Sequence, residues 1–156
     1  MIGFGYDCHR LEKGKKLILG GVEISSESGS VAHSDGDVVL HSLCDAILGA
    51  AGLGDIGEHF PDSDKKYKNA PSRIFVKDII NLITNAGFLL VNVDITIILE
   101  KPKLSEYKEK MKNQIAALCN LPVERINIKA KTSEKMGFVG RSEGVESYCI
   151  CEVKKK

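Results

Sequence analysis

Residues 33–64 read HSDGDVVLHSLCDAILGAAGLGDIGEHFPDSD, and the reading of this stretch decides the fold. It opens on a polar cluster, His33-Ser34-Asp35-Gly36-Asp37, and continues as a nearly unbroken apolar segment from Val38 to Leu53. Apolar residues on most faces predict a helix enclosed by protein. Ser34 and Asp37 have capping-box spacing, which predicts a helix start at Ser34. Asp35 and Asp37 also sit where the helix dipole favours negative charge. Within the apolar run stands His41, whose imidazole needs a partner. Asp45 lies four residues on and is able to face it. On the helix alone, His41 reads as a core histidine satisfied by Asp45.

The beginning of the chain changes that reading. Ile2, Phe4, Tyr6 and Cys8 alternate with Gly3, Gly5, Asp7 and His9, the period of a strand. Asp7 and His9 therefore project from one face. Gly3 and Gly5 precede them on that face and predict room for a ligand. Asp-x-His alone fits a surface ion pair equally well. Joined by His41, it becomes a set of one carboxylate and two imidazoles without a thiolate. Such a set suits zinc or a similar divalent ion with a fourth position open.

Outward from these segments, Lys15 to Ile24 reads KKLILGGVEI, in which two short apolar runs flank Gly20-Gly21, a hairpin signal. Residues 25–31 read as a loop. Residues 54–70 form a long acidic segment, in which Asp55, between two glycines, is the better functional candidate and Glu58, Asp62 and Asp64 read as solvated. Pro71 fits the first turn of a second helix that stops at Gly87. Residues 88–99 predict a long strand with Val91, Val93, Ile95, Ile97 and Leu99 on one face. A third helix carries Leu104, Tyr107, Met111, Ile115 and Leu118. Residues 126–130 and 145–153 predict two further strands. Between them, Lys131 to Arg141 gathers hydroxyls, an acid and glycines at a strand end, which also fits a turn and short helix capped by Thr132 or Ser133. Three helices and several strands that do not strictly alternate give an α+β fold, a mixed sheet with helices packed on one face, in a single domain over residues 1–156.

Composition excludes several classes. A formal charge of +1 offers no nucleic-acid surface. No apolar run is long and clean enough to span a membrane, and Met1 leads straight into a strand, so no secretory leader is expected. Five cysteines without a CxxC read as reduced core or strand residues. A cytoplasmic protein is expected.

With the segments placed, the chain resembles the 2-C-methyl-D-erythritol 2,4-cyclodiphosphate synthase family along nearly its whole length. The resemblance is carried by GYDCH at 5–9, AHSDGDVVLH at 32–41, LGDIGEHFPDSD at 53–64, NVDITI at 92–97 and KAKTSEKMGFVGRSEG at 129–144. It implies a lyase of the non-mevalonate isoprenoid pathway, cytoplasmic in a bacterium or plastid-type in a eukaryote. It also implies a homotrimer around a sheet-lined axis, with active sites between subunits. Zinc would be held by Asp7, His9 and His41; the helical spacing, not the resemblance, places Asp45 behind His41. Magnesium or manganese would be held by Glu134 at the diphosphate of a cytidine diphosphate-linked substrate. Substrate contacts would come from His33, Ser34, Asp55, Gly57 and Asp62, and from Lys101, Pro102, Lys103, Leu104, Thr132 and Ser133. Phe138, Arg141 and Glu143 would line an axial cavity able to hold an isoprenoid diphosphate. Cys8, Glu100 and Lys101 depart from the family pattern. Zinc-dependent hydrolysis of a phosphate ester and an isoprenoid-diphosphate-binding module are the competing readings.

Overall fold

The computed structural model describes residues 1–156. The elements in order are β1 (Ile2–Lys13), β2 (Leu17–Leu19), β3 (Val22–Ile24), β4 (Ser28–Val31), α1 (Val38–Ala51), α2 (Ile56–His59), α3 (Arg73–Asn85), β5 (Phe88–Ile98), α4 (Lys108–Cys119), β6 (Ile126–Lys131), α5 (Gly137–Gly140) and β7 (Gly144–Lys155). Five strands form a mixed sheet in the order β4-β1-β7-β5-β6, in which only β5 and β6 run parallel. β2 and β3 make a separate hairpin turned by Gly20 and Gly21, both at positive φ. The α+β expectation therefore holds. No helix is long and apolar enough to cross a membrane.

Four local expectations need correction. α1 begins at Val38, not Ser34: Asp37 is its N-cap and accepts from the Leu40 amide at 3.1 Å. The reason is tertiary. The Asp37 carboxylate also takes the Gly20 and Gly21 amides at 2.9 and 2.7 Å, so one buried group caps α1 and docks the hairpin turn. Burial pushes its carboxyl up to about 6 despite these amides. Second, residues 28–31 are a strand, because pairing with β1 supplies backbone partners that a polar sequence does not advertise. Third, a bulge between Leu90 and Asn92 shifts the register of β5, so that Leu90 rather than Val91 joins Val93, Ile95 and Ile97 in the core. Fourth, α5 follows Met136 with no side-chain cap.

Gly3 and Gly5 do not leave room for a ligand. A Cβ on Gly3 would lie 1.8 Å from the Ala46 carbonyl oxygen, and one on Gly5 would lie 1.9 Å from that of Ser42. The glycines let α1 lie directly on β1. The pairing of Gly3 with Ala46 and Gly5 with Ser42 shows that α1 runs antiparallel to the strand. Two strand residues advance about 6.6 Å and four helix residues about 6 Å, so the next step carries Asp7 to the first turn of α1. That step brings His41 to Asp7 and His9.

Helices cover one sheet face. On the other, Ile2, Phe4, Tyr6 and Ile150 are exposed, and Tyr148 packs against Tyr6 with ring centroids 5.0 Å apart. All five cysteines are free, as expected. Burial pushes the Cys119 and Cys151 thiols up to about 12, so they behave as core residues.

Candidate metal centre and active site

Asp7 and His9 reach inward from β1 and His41 from α1, and their ligand atoms converge. Asp7 Oδ2 lies 2.9 Å from His9 Nε2 and 3.0 Å from His41 Nδ1, and the two nitrogens are 3.1 Å apart. Burial raises the Asp7 carboxyl, but hydrogen bonds from His41 and His9 outweigh it and hold the group at about 2. Burial likewise opposes charge on His41, and Asp7 more than offsets it, so the imidazole is shifted upward. Three ligand atoms drawn onto one point need a shared cation or protons between them. A tetrahedral zinc site with bonds of about 2.0–2.1 Å has ligand edges of about 3.3 Å, so the triad fits a divalent ion after a small expansion.

The expected partner of His41 is different. Asp45 accepts from the Ile56 amide at 2.8 Å and has no hydrogen bond to His41. It tethers the start of α2, because the chain after α1 turns back and brings the Ile56 amide against the Asp45 carboxylate. The outer nitrogen of His41, Nε2, instead meets Ser72 Oγ at 2.8 Å and Ser34 Oγ at 3.1 Å. Ser72 is fully buried and donates to Asp35. The sequence offers one signal for Ser72, its place before a helix after Pro71, and that signal points to capping. Its hydroxyl makes no cap bond.

The triad opens into a cavity of about 430 Å³. His33, Ser34, Gly57 and Asp62 line it with Asp45, and Phe60, Tyr67 and Phe75 form an aromatic wall. That wall was not legible in the sequence, since its members come from the acidic segment and α3. The Phe60 and Phe75 ring centroids are 4.6 Å apart. His33 Nε2 is buried there without a hydrogen-bond partner. Asp55 stands outside the lining and caps α2 by accepting from the Glu58 amide at 3.0 Å. Its expected role therefore gains no support from the cavity of one chain.

Other candidates gather elsewhere. Pro102, Lys103, Leu104 and Thr132 line a second hollow of about 200 Å³ that shares no residue with the first. Lys101, joined to Pro102 by a cis peptide bond, faces a third with Ser142. Glu134 is exposed at positive φ, and its carboxylate accepts from Thr132 Oγ1 at 3.2 Å. Glu100 accepts from the Ser133 and Lys135 amides, each at 3.2 Å, and so joins the two loops. Phe138 and Glu143 share a shallow hollow with Cys8, while Arg141 pairs with Glu143 at 2.9 Å.

Comparison with known proteins identifies the family. The YgbB family profile matches residues 1–154. A 2-C-methyl-D-erythritol 2,4-cyclodiphosphate synthase from Fusobacterium nucleatum is 49% identical over 155 residues, covering 99% of this chain and 97% of the relative. The bifunctional IspDF of Campylobacter jejuni superposes with a TM-score of 0.95 at 46% identity, over 99% of this chain and 42% of that one. A 2C-methyl-D-erythritol-2,4-cyclodiphosphate synthase solved in its CDP-bound form gives 0.92 at 36% identity, over 99% of this chain and all of the other. Matched from end to end in sequence and in fold, this chain belongs to the YgbB family.

Proposed function

We propose that this chain converts 4-diphosphocytidyl-2-C-methyl-D-erythritol 2-phosphate into 2-C-methyl-D-erythritol 2,4-cyclodiphosphate and CMP, as a lyase of the non-mevalonate pathway. The convergence of Asp7, His9 and His41 at the mouth of a cavity, in a chain of this family, carries the reading. An oxygen of the 2-phosphate attacks the β-phosphorus. The bond from that phosphorus to the bridging oxygen breaks, and CMP leaves with the bridging oxygen. Attacker and target are both anionic, so the site must offset their repulsion. Zinc on Asp7, His9 and His41, and magnesium or manganese on Glu134, would supply that charge to the phosphates.

The chain's own residues do the positioning. His33 presents an unpaired buried nitrogen toward the cavity, suited to a phosphate or hydroxyl oxygen. Ser34 stands beside it, and Gly57 and Asp62 also line the cavity. Lys101 to Leu104, with Thr132 and Ser133, serve the cytidine, and Asp55 and Gly57 the ribose. Holding both phosphates in line supplies the entropic part of the acceleration. No protein nucleophile is needed. Burial raises the thiols of Cys44, Cys119, Cys149 and Cys151 above their ordinary range and keeps them protonated.

The first and second hollows share no residue, which supports a site completed by a neighbouring copy. The exposed apolar sheet face supports the same assembly, a homotrimer around that face. Phe138, Arg141 and Glu143 would then line its axis and suit an isoprenoid diphosphate. A phosphorus NMR time course on the CDP-linked substrate with zinc and magnesium tests the reaction. A cyclic diphosphate with stoichiometric CMP, lost in His41→Ala, is expected. A linear diphosphate would establish a hydrolase instead. Metal binding without any CMP release would leave a binding module.

A further inference from the structure

We infer that Ser72 and Asp35 are positioning residues that set the proton on His41 and so aim its Nδ1 lone pair at the metal; this rests on the metal centre proposed above. A serine hydroxyl carries one proton. Ser72 Oγ sits between the Asp35 carboxylate and His41 Nε2, at 2.8 Å from the latter. The Asp35 carboxylate accepts from two backbone amides and from Ser72, so the one hydroxyl proton of Ser72 goes to Asp35. The hydroxyl must then accept from His41, which places a proton on Nε2. Ser34 Oγ lies 3.1 Å from the same nitrogen and accepts from the Gly36 amide at 3.3 Å. With Nε2 protonated, Nδ1 is the atom left to bind, and it is the atom facing Asp7 and His9.

Asp35 is itself held in place. Its carboxylate accepts from the amides of Asp37 at 3.1 Å and Ser72 at 2.9 Å, and its own amide donates to the Ala70 carbonyl at 3.1 Å. The Asn69 amide donates to the His33 carbonyl at 2.8 Å. The strap that closes the acidic segment is thus laced to the loop before α1, and Ser72 is the point where the lacing touches a metal ligand. A free ring would rotate; this one is bonded at both nitrogens.

Zinc affinity of the metal-free full chain, by competition with a chromophoric chelator, tests the inference. Ser72→Ala is expected to weaken zinc about 10–100-fold, and Ser72→Thr to restore it to within about threefold. Asp35→Asn should weaken it comparably. Its amide can donate to Ser72, which turns the hydroxyl toward Nε2 and moves the ring proton to Nδ1. In the zinc-loaded unmodified chain, the His41 Nε2–H should appear as a downfield, slowly exchanging proton in ¹H–¹⁵N spectra, and Ser72→Ala should lose it. Folded Ser72→Ala and Asp35→Asn chains that bind zinc within about twofold of the unmodified one would overturn the inference, although the metal centre would stand. Absence of that proton signal would overturn it too, and decides the matter even where Ser72→Ala does not fold. Absence of zinc binding by the unmodified chain would overturn the metal centre and this inference together.

Discussion

The metal-type triad and the loops proposed for cytidine are built in opposite ways. Asp7, His9 and His41 come from two elements welded together through glycine contacts, and each has its partners inside the same chain. Lys101 to Leu104 and Thr132 to Glu134 stand on loops, with Lys101, Lys103, Thr132 and Glu134 exposed and Leu104 anchored in the core, and Glu100 holds the two loops together through a pair of backbone amides. The difference has an electrostatic root. Charges drawn together away from water must be compensated locally, so the triad is complete before any partner arrives. Groups left in water need no such compensation and wait for a substrate, a cation or a second copy to organise them.

The largest test of the contrast is Gly5→Ala. A methyl group at 1.9 Å from the Ser42 carbonyl oxygen forces α1 off β1. A loss of about 1–3 kcal/mol or more is expected, with a fall in thermal midpoint of several degrees. Zinc affinity should fall with it, because the displaced helix carries His41. Calorimetry beside chelator competition would show whether the two losses travel together. If stability falls and zinc affinity does not, the triad is not rigidly tied to the helix–strand contact.

A smaller effect follows from Asp37. Its folded value of about 6 lies above the ordinary 3.8, so it adds stability that is complete below about pH 4 and is lost as pH rises through about 6. Asp7 has the opposite sign: its value of about 2 adds stability above 3.8 that is lost as pH falls toward 2. Urea unfolding of the metal-free chain between pH 4 and pH 7 should show the Asp37 slope. Asp37→Asn should flatten it while lowering stability at every pH, since one amide oxygen cannot serve three backbone donors.

The smallest expected effect falls on the exposed side. Glu100→Gln keeps one acceptor for two amides, and one net hydrogen bond is worth about 1 kcal/mol, or about fivefold. The Michaelis constant for the CDP-linked substrate should rise by about that factor, with zinc affinity unchanged. Steady-state kinetics beside zinc titration checks it. A change in zinc affinity would mean that the two regions are coupled within one chain.

The sequence by itself determined the periodic elements and the candidate ligand set. Alternation in β1, the apolar run of α1, the hairpin at Gly20-Gly21 and the spacing of Met111 and Ile115 all follow from local chemistry, and so does the choice of Asp7, His9 and His41. What only the tertiary structure decided is who partners whom. Gly3 and Gly5 read as vacant space and prove to be the seat of α1. Asp45 reads as the partner of His41 and serves the Ile56 amide instead, while Ser72, 31 residues away, takes the imidazole. Asp37 reads as half of a capping box and turns out to hold a hairpin 16 residues upstream. Periodicity reports which face a side chain occupies, because face is set by backbone geometry alone. A hydrogen-bond partner is set by which surfaces pack, and in this chain those partners lie far apart in sequence.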